Sequence, residues 1–176
     1  MRRAINFSKK SDYLRGDMTL TQSELKGLFS SATNEWATPQ DFFDKINKMY
    51  NFTLDPCCTK ETAKCDVFYT KEDNGLSRSW EGHTVFMNPP YGREIKDWVA
   101  KAHKEAEKPN TTVVCLIPAR TDTQYWHDHC MNAAEIILIK GRLSFGDGSG
   151  SAPFPSALVV FGNSIIGRPL LSAIDR

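Results

Sequence analysis

The sequence lacks an apolar run approaching the ~20 residues that a membrane-spanning helix requires. It also lacks a strong net charge, because 22 Lys and Arg residues oppose 21 Asp and Glu residues. With 40% hydrophobic residues, the composition excludes a largely disordered chain. No apolar core follows the basic pair at the start of the chain, so we expect no secretory signal. These features predict a globular, cytoplasmic protein without a membrane partner.

Patterns typical of disulfide frameworks, metal sites and phosphate-binding loops are also missing. The five cysteines are an odd number, which favours reduced thiols over a disulfide framework here. Cys57 and Cys58 are adjacent, whereas zinc-binding cysteine pairs are usually separated by two or more residues. The glycine-rich residues 146–150 lack the lysine of a Walker loop. We accordingly predict no metal site and no Walker-type phosphate site.

Residues 1–30 show no sustained periodicity, which predicts a flexible or irregular N-terminal arm. Residues 31–176 are predicted to form the folded domain, in which apolar runs alternate with helical patterns. This alternation predicts an α/β fold with a mostly parallel central sheet and helices on both faces. The predicted strands are residues 52–55, 66–70, 83–87, 111–118, 134–140 and 156–162.

Three helices are predicted from residue spacing. The first starts at Pro39 with Thr38 as its N-cap. The second covers residues 93–108, and the third covers residues 121–132 with Thr121 or Asp122 as its cap. The side chains expected to face the core are Phe42, Phe43, Ile46 and Met49 in the first helix and Ile95, Trp98, Val99, Ala102 and Ala106 in the second.

The sequence Asn88-Pro89-Pro90-Tyr91 follows a predicted strand and precedes a predicted helix. Two consecutive prolines fix φ and remove two backbone donors, so this strand end offers acceptors: the Asn88 amide oxygen and the Pro89 carbonyl. Two acceptors beside the flat ring of Tyr91 suit an exocyclic amine on a planar heterocycle. Because ligands of such sheets bind at the carboxyl ends of strands, we predict a functional site here rather than a stiff turn.

With these residues, the chain resembles the phage-type DNA N6-adenine methyltransferases, a Dam-like group that uses S-adenosylmethionine. The resemblance covers about residues 34–162 and implies a Rossmann-like class I methyltransferase fold that methylates adenine N6 in DNA. A phage or prophage product of this kind would act in a bacterial host. The matching residues are Glu35-Trp36-Ala37-Thr38-Pro39, Leu54-Asp55-Pro56, Asp73-Asn74-Gly75-Leu76 with Trp80, Asn88-Pro89-Pro90-Tyr91-Gly92, Pro118-Ala119-Arg120-Thr121-Asp122-Thr123 and Gly141-Arg142-Leu143-Ser144-Phe145-Gly146.

The resemblance assigns catalysis to the motif at residues 88–91. Asn88 and the Pro89 carbonyl would accept hydrogen bonds from the adenine amine, with Pro90 completing the motif. Tyr91 would stack on the base after it is flipped from the duplex.

The implied S-adenosylmethionine contacts are Asp55, Pro56, Asp73, Trp36 and Thr38. Glu72 is the neighbouring rival of Asp73. Structural roles remain open, since Asp55 and Asp73 could be turn residues, Trp36 a core anchor and Thr38 a helix cap. Residues 56–59 also depart from the wider methyltransferase pattern, because they replace the usual glycine-rich turn.

Contacts with DNA are expected from two further segments. Arg120, at a strand end, is a candidate phosphate contact, although a surface ion pair is an alternative. Residues 141–155 form a long Gly, Ser and Pro-rich connection that contains Arg142 and Phe145. We predict a mobile loop that embraces DNA or stacks on the target base, with an ordinary long connection as the alternative.

Two other functions are compatible with parts of the pattern. An enzyme of the same type could methylate RNA adenine or a protein glutamine amide. A non-catalytic nucleic-acid-binding module could retain a degenerate methyltransferase fold, and binding of the cofactor would separate it from an enzyme.

Overall fold

The computed structural model describes residues 36–146, 150–162 and 169–176, all within a unit that spans Asn34–Arg176. The arm predicted at residues 1–30 and its boundary at residue 31 lie outside the described residues. The helices of the described part are α1 (Gln40–Tyr50), α2 (Ile95–Glu105) and α3 (Gln124–Asp128). Its strands are β1 (Leu54–Asp55), β2 (Val67–Phe68), β3 (Thr84–Met87), β4 (Thr112–Pro118), β5 (Glu135–Lys140), β6 (Ser156–Phe161) and β7 (Leu170–Asp175).

The strands form one sheet in the order β2-β1-β3-β4-β6-β5-β7. Strand β6 runs antiparallel to β4 and β5, and the remaining neighbouring strands are parallel. The α/β class, the mostly parallel sheet and the Rossmann-like fold are therefore confirmed. The edge strand β7 is not predicted from the sequence, because Leu170 and Leu171 are exposed and provide no buried face.

The centre of the sheet is buried on both faces. Every residue of β6 is buried, as is every residue of β4 after Thr112. In β3, Phe86 contacts Phe43 of α1, with ring centroids 5.1 Å apart. Its neighbours Val85 and Met87 point to the opposite face and are also buried. Burial on both faces explains why these strands have near-continuous apolar sequences.

Helix α1 confirms the first predicted helix but begins differently. Pro39 occupies the N-cap position, and no side chain caps the helix. The prediction that Thr38 is the cap is wrong, because its hydroxyl accepts a hydrogen bond from Asn88 instead. Met49, in the last turn, is 56% exposed and not part of the core. The predicted stripe is buried at Phe42, Phe43 and Ile46.

Helix α2 confirms the second predicted helix, and all five of its predicted core side chains are buried. The third predicted helix is shorter than expected. Thr123, which has an extended backbone conformation, precedes α3, so Thr121 and Asp122 are not its caps. The chain then forms a 3₁₀ turn at Cys130–Asn132. Among the helices that the structure describes, none is long and apolar enough to span a membrane.

Candidate active site

Three strand ends meet at the carboxyl edge of the sheet. Asp55 ends β1, Asn88 directly follows β3, and Pro118 ends β4. Strand β3 lies between β1 and β4 and is parallel to both. The polar groups at these strand ends therefore lie side by side, where ligands of α/β sheets bind.

The side-chain amide of Asn88 is held by three hydrogen bonds. Its Nδ2 donates to the Trp36 carbonyl at 2.5 Å and to the Thr38 hydroxyl at 2.9 Å. Its Oδ1 accepts from the Tyr91 hydroxyl at 2.6 Å. Because a backbone carbonyl can only accept, the NH₂ group must face Trp36, and Oδ1 is turned toward Tyr91.

Proline shapes the two positions that follow Asn88. Pro89 is buried and Pro90 is half-buried. Neither residue has a backbone N–H, so the strand end presents carbonyl acceptors beside the Asn88 amide oxygen. This arrangement retains the acceptor character that the sequence predicts.

The ring of Tyr91 lies inside an aromatic cluster. Trp36 lies nearly parallel to it, with an interplanar angle of 18° and ring centroids 6.5 Å apart. Phe145 and Phe154 approach the ring edge-to-face at 6.1 and 5.5 Å. Tyr91 is only 4% exposed, so a base can stack on its ring only if a neighbouring aromatic side chain moves.

The Tyr91 hydroxyl has a second acceptor. The carbonyl oxygen of Leu116, in β4, lies 3.1 Å from it, in addition to Asn88 Oδ1. Burial raises the pKa of Tyr91 well above its ordinary value, so the hydroxyl stays neutral and donates one hydrogen. Leu116 can therefore take that hydrogen when Asn88 Oδ1 binds another donor.

Three side chains of the segment at residues 141–155 pack against the domain. Leu143, Phe145 and Ala152 are buried, and the Gly146 N–H donates to the Ala37 carbonyl. Phe145 thus contributes to the aromatic cluster through its contacts with Trp36 and Tyr91. Residues 147–149 lie outside the described residues, so the predicted mobile loop stays a prediction.

The carboxylate of Asp55 organises the turn that follows β1. It accepts from the backbone N–H groups of Cys57 at 3.4 Å and Lys64 at 3.2 Å. Burial, which leaves Asp55 3% exposed, raises its pKa to about 6 despite these hydrogen bonds. The carboxylate thereby orders a turn that has no glycine to give close backbone packing.

Gly75 packs against the turn that follows β1, and the sequence alone does not show that this position requires glycine. A Cβ at this position would overlap the carbonyl oxygen of Pro56 and approach Trp98. The Gly75 carbonyl accepts from the Trp80 indole at 3.0 Å. The turn-forming pair Asn74-Gly75 was the available signal, but its contact with Pro56 depends on the folded chain.

Asp73 is fixed by a neighbouring residue. Its Oδ2 accepts from the backbone N–H and the hydroxyl of Thr70, at 2.9 and 2.8 Å, and these bonds lower the pKa of Asp73. Within residues 36–146 and the other described ranges, Oδ1 accepts no hydrogen bond. Glu72 is exposed. Asp73 is therefore the better-ordered acceptor of the two.

The two candidate arginines are exposed. Arg120 follows β4 and Arg142 follows β5, whose carboxyl ends lie at the same edge of the sheet. Arg120 forms no ion pair with any residue that the structure describes. The surface ion pair considered for it is therefore not found in that part of the chain.

Comparisons with known proteins identify a family and relatives with similar sequences. A family profile described as DNA N-6-adenine-methyltransferase (Dam) matches residues 26–161. The DNA N-6-adenine-methyltransferase of Haemophilus phage HP1 is 33% identical over 151 residues, which cover 81% of this chain and 84% of that protein. The protein of the same name from Escherichia phage T1 is 32% identical over 141 residues, or 75% of this chain and 58% of that protein.

Proposed function

The chain belongs to the DNA N-6-adenine-methyltransferase (Dam) family, and we propose that it methylates adenine N6 through a site built on Asn88, Pro89 and Tyr91. Family membership makes it an adenine-specific DNA methyltransferase, and enzymes of this class typically use S-adenosylmethionine. The observation that carries the proposed site is the orientation of the Asn88 amide, whose oxygen is turned toward Tyr91.

The acceptors at residues 88–89 match the donors of the target. The N6 amine of adenine has two N–H bonds and a lone pair that is delocalised into the ring. Asn88 Oδ1 and the Pro89 carbonyl accept from these N–H bonds and favour a pyramidal nitrogen whose lone pair is available. Pro90 has no N–H donor at its own position and restricts the backbone conformation there. These residues raise reactivity by positioning the amine.

Tyr91 stacks on the target base after it leaves the duplex. Stacking requires a change in the aromatic cluster, because Trp36, Phe145 and Phe154 now surround the tyrosine ring. In the same step the Tyr91 hydroxyl donates to Leu116 and leaves Asn88 Oδ1 to the adenine amine. The 3.1 Å separation from the Leu116 carbonyl supports this exchange.

Two carboxylates fit S-adenosylmethionine, which supplies an electrophilic methyl group on its sulfonium sulfur when bound. Asp55 is a buried carboxylate whose pKa is raised to about 6 by burial, and the cofactor's ammonium group would compensate its charge. Asp73 has Oδ1 facing none of the described donors, so it can accept from the ribose hydroxyls. Pro56 directly follows Asp55 in the turn after β1. Trp36 lies beside Asn88, which donates to its carbonyl.

Membership of a DNA methyltransferase family supports DNA as the binding partner. We assign phosphate contacts to Arg120 and Arg142, which are exposed and follow strands whose carboxyl ends face the site. We place Phe145 next to the flipped base, because it packs against Tyr91 in the aromatic cluster. The methyltransferase domain covers residues 31–176, and the named relatives from phages support action in the cytoplasm of a bacterial host.

A methyl-transfer assay tests this function. S-adenosylmethionine carrying a radiolabelled methyl group is offered with unmethylated DNA, RNA or protein in separate reactions. We expect label in DNA alone, recovered as N6-methyladenine. Label in RNA or protein would contradict the substrate, and binding of the cofactor without transfer to any acceptor would contradict the proposed activity.

A further inference from the structure

The Thr38 hydroxyl forms a hydrogen bond with Asn88 at the end of β3 and does not cap helix α1. Threonine is a favoured N-cap residue, and Thr38 directly precedes the N-cap position of this helix, yet no side chain caps it. The side chain is 5% exposed, and its hydroxyl oxygen lies 2.9 Å from Asn88 Nδ2. The buried Thr38 hydroxyl is thus hydrogen-bonded to a residue 50 positions away in the sequence.

The orientation of the Asn88 amide decides what it can bind. With Oδ1 turned toward Tyr91, the side chain offers an acceptor beside the ring to which we assign base stacking, and an acceptor can bind an amine. Rotated by half a turn, it would present NH₂, which repels the N–H bonds of an amine. The Trp36 carbonyl and the Thr38 hydroxyl each engage Nδ2, so together they occupy both hydrogens of the NH₂ group and favour the accepting orientation.

We propose that Thr38 is a positioning residue that acts through Asn88, holding its amide oxygen toward the target amine. This inference rests on the proposed role of Asn88, and it replaces the cofactor contact that the family resemblance implied for Thr38. The Thr38 hydroxyl meets Asn88, and the hydroxyl is needed for transfer because it fixes the orientation of a group that touches the substrate.

The test compares Thr38→Val with Thr38→Ser. Valine keeps the branched shape and removes the hydroxyl, whereas serine keeps the hydroxyl. With saturating cofactor and DNA, we expect kcat of the valine variant to fall about tenfold through misplacement of the amine. We expect its Kd for S-adenosylmethionine to change less than about twofold, and the serine variant to recover most of kcat. If the valine variant does not fold, Thr38→Ala takes its place.

A second readout needs neither substrate nor cofactor. In a ¹⁵N-correlated NMR spectrum, the Asn88 side-chain amide is assigned by its disappearance in Asn88→Ala. One of its two proton resonances should move upfield in Thr38→Val and stay near its wild-type position in Thr38→Ser, because only valine removes the acceptor.

The outcomes separate this inference from the proposed function. A weakened cofactor Kd with unchanged kcat would make Thr38 a cofactor contact and overturn the inference. Unchanged kcat and an unmoved Asn88 resonance in the valine variant would also overturn it. If wild-type protein transfers no methyl group although the Asn88 resonance responds to Thr38→Val, the contact stands and the failure belongs to the proposed function; a role for Thr38 in transfer then falls with it.

Discussion

Two neighbouring strand ends use polar side chains in different ways. At the end of β1, the Asp55 carboxylate accepts from backbone N–H groups two and nine residues further along the chain. At the end of β3, the Asn88 amide donates to groups that lie 50 and 52 residues earlier. The Asp55 side chain orders the turn that follows it, whereas the Asn88 side chain is oriented by a segment that is distant in sequence.

Because of this difference, we expect Asp55 to contribute mainly to the stability of the fold and Asn88 mainly to methyl transfer. A carboxylate that satisfies local backbone donors stabilises a loop, and its loss leaves partly buried N–H groups unpaired. An amide oriented by distant groups contributes mainly through the atom it presents. Substitution of the Asn88 side chain should therefore reduce methyl transfer more than stability, and substitutions in the Asp55 turn should reduce stability.

The largest effect in this comparison is expected from Tyr91→Ala. Loss of the ring removes base stacking and opens the aromatic cluster, so we expect single-turnover transfer to fall by about 100-fold or more. Tyr91→Phe keeps the ring and should stay within about tenfold of wild type. Equal transfer by the alanine variant and wild type would show that Tyr91 has no role in binding the base.

Gly75→Ala tests the β1 side of the comparison. The added Cβ would overlap the Pro56 carbonyl, so we expect the free energy of unfolding to fall by about 2 kcal/mol. Chemical denaturation measures this change. Gly150→Ala is the matched control, because a Cβ there meets no atom of the described residues within 4 Å. Equal stability of the two variants would contradict the packing of this turn.

Asp55→Asn tests whether the Asp55 carboxylate makes stability depend on pH. The pKa of Asp55 is about 6, above its ordinary value of 3.8, so the folded state binds this proton more tightly than the unfolded state. The contribution of Asp55 to stability therefore increases as pH falls from about 6 to about 4. Between about pH 6.5 and about pH 4.5, the unfolding free energy of wild type relative to the variant should rise by roughly 1–2 kcal/mol. A constant difference across this range would contradict burial of the carboxylate.

Local patterns in the sequence predict much of the fold. Six strands and three helices follow from apolar periodicity, because the buried positions repeat at the spacing of each element. Strand β7 could not be predicted in this way, since it pairs with β5 through its backbone while Leu170 and Leu171 stay exposed.

The candidate site is predictable where its chemistry is contiguous. The motif at residues 88–91 combines acceptors, prolines and an aromatic ring in adjacent positions. The partners of Asn88 are not predictable from local patterns, which favour Thr38 as a helix cap. The same holds for Trp36 and Phe154, which meet Tyr91 only because the chain folds them to one edge.

The role of Asn88 as the acceptor for the adenine amine is tested most directly by removing its side chain. DNA is incubated with wild type, Asn88→Ala or the control Asn132→Ala, an exposed asparagine, and N6-methyladenine is quantified by mass spectrometry after hydrolysis. Cofactor affinity is measured on the same preparations. We expect the Asn88 variant to lose transfer by at least about 100-fold while binding S-adenosylmethionine and folding like wild type. Wild-type levels of N6-methyladenine from this variant would contradict the account.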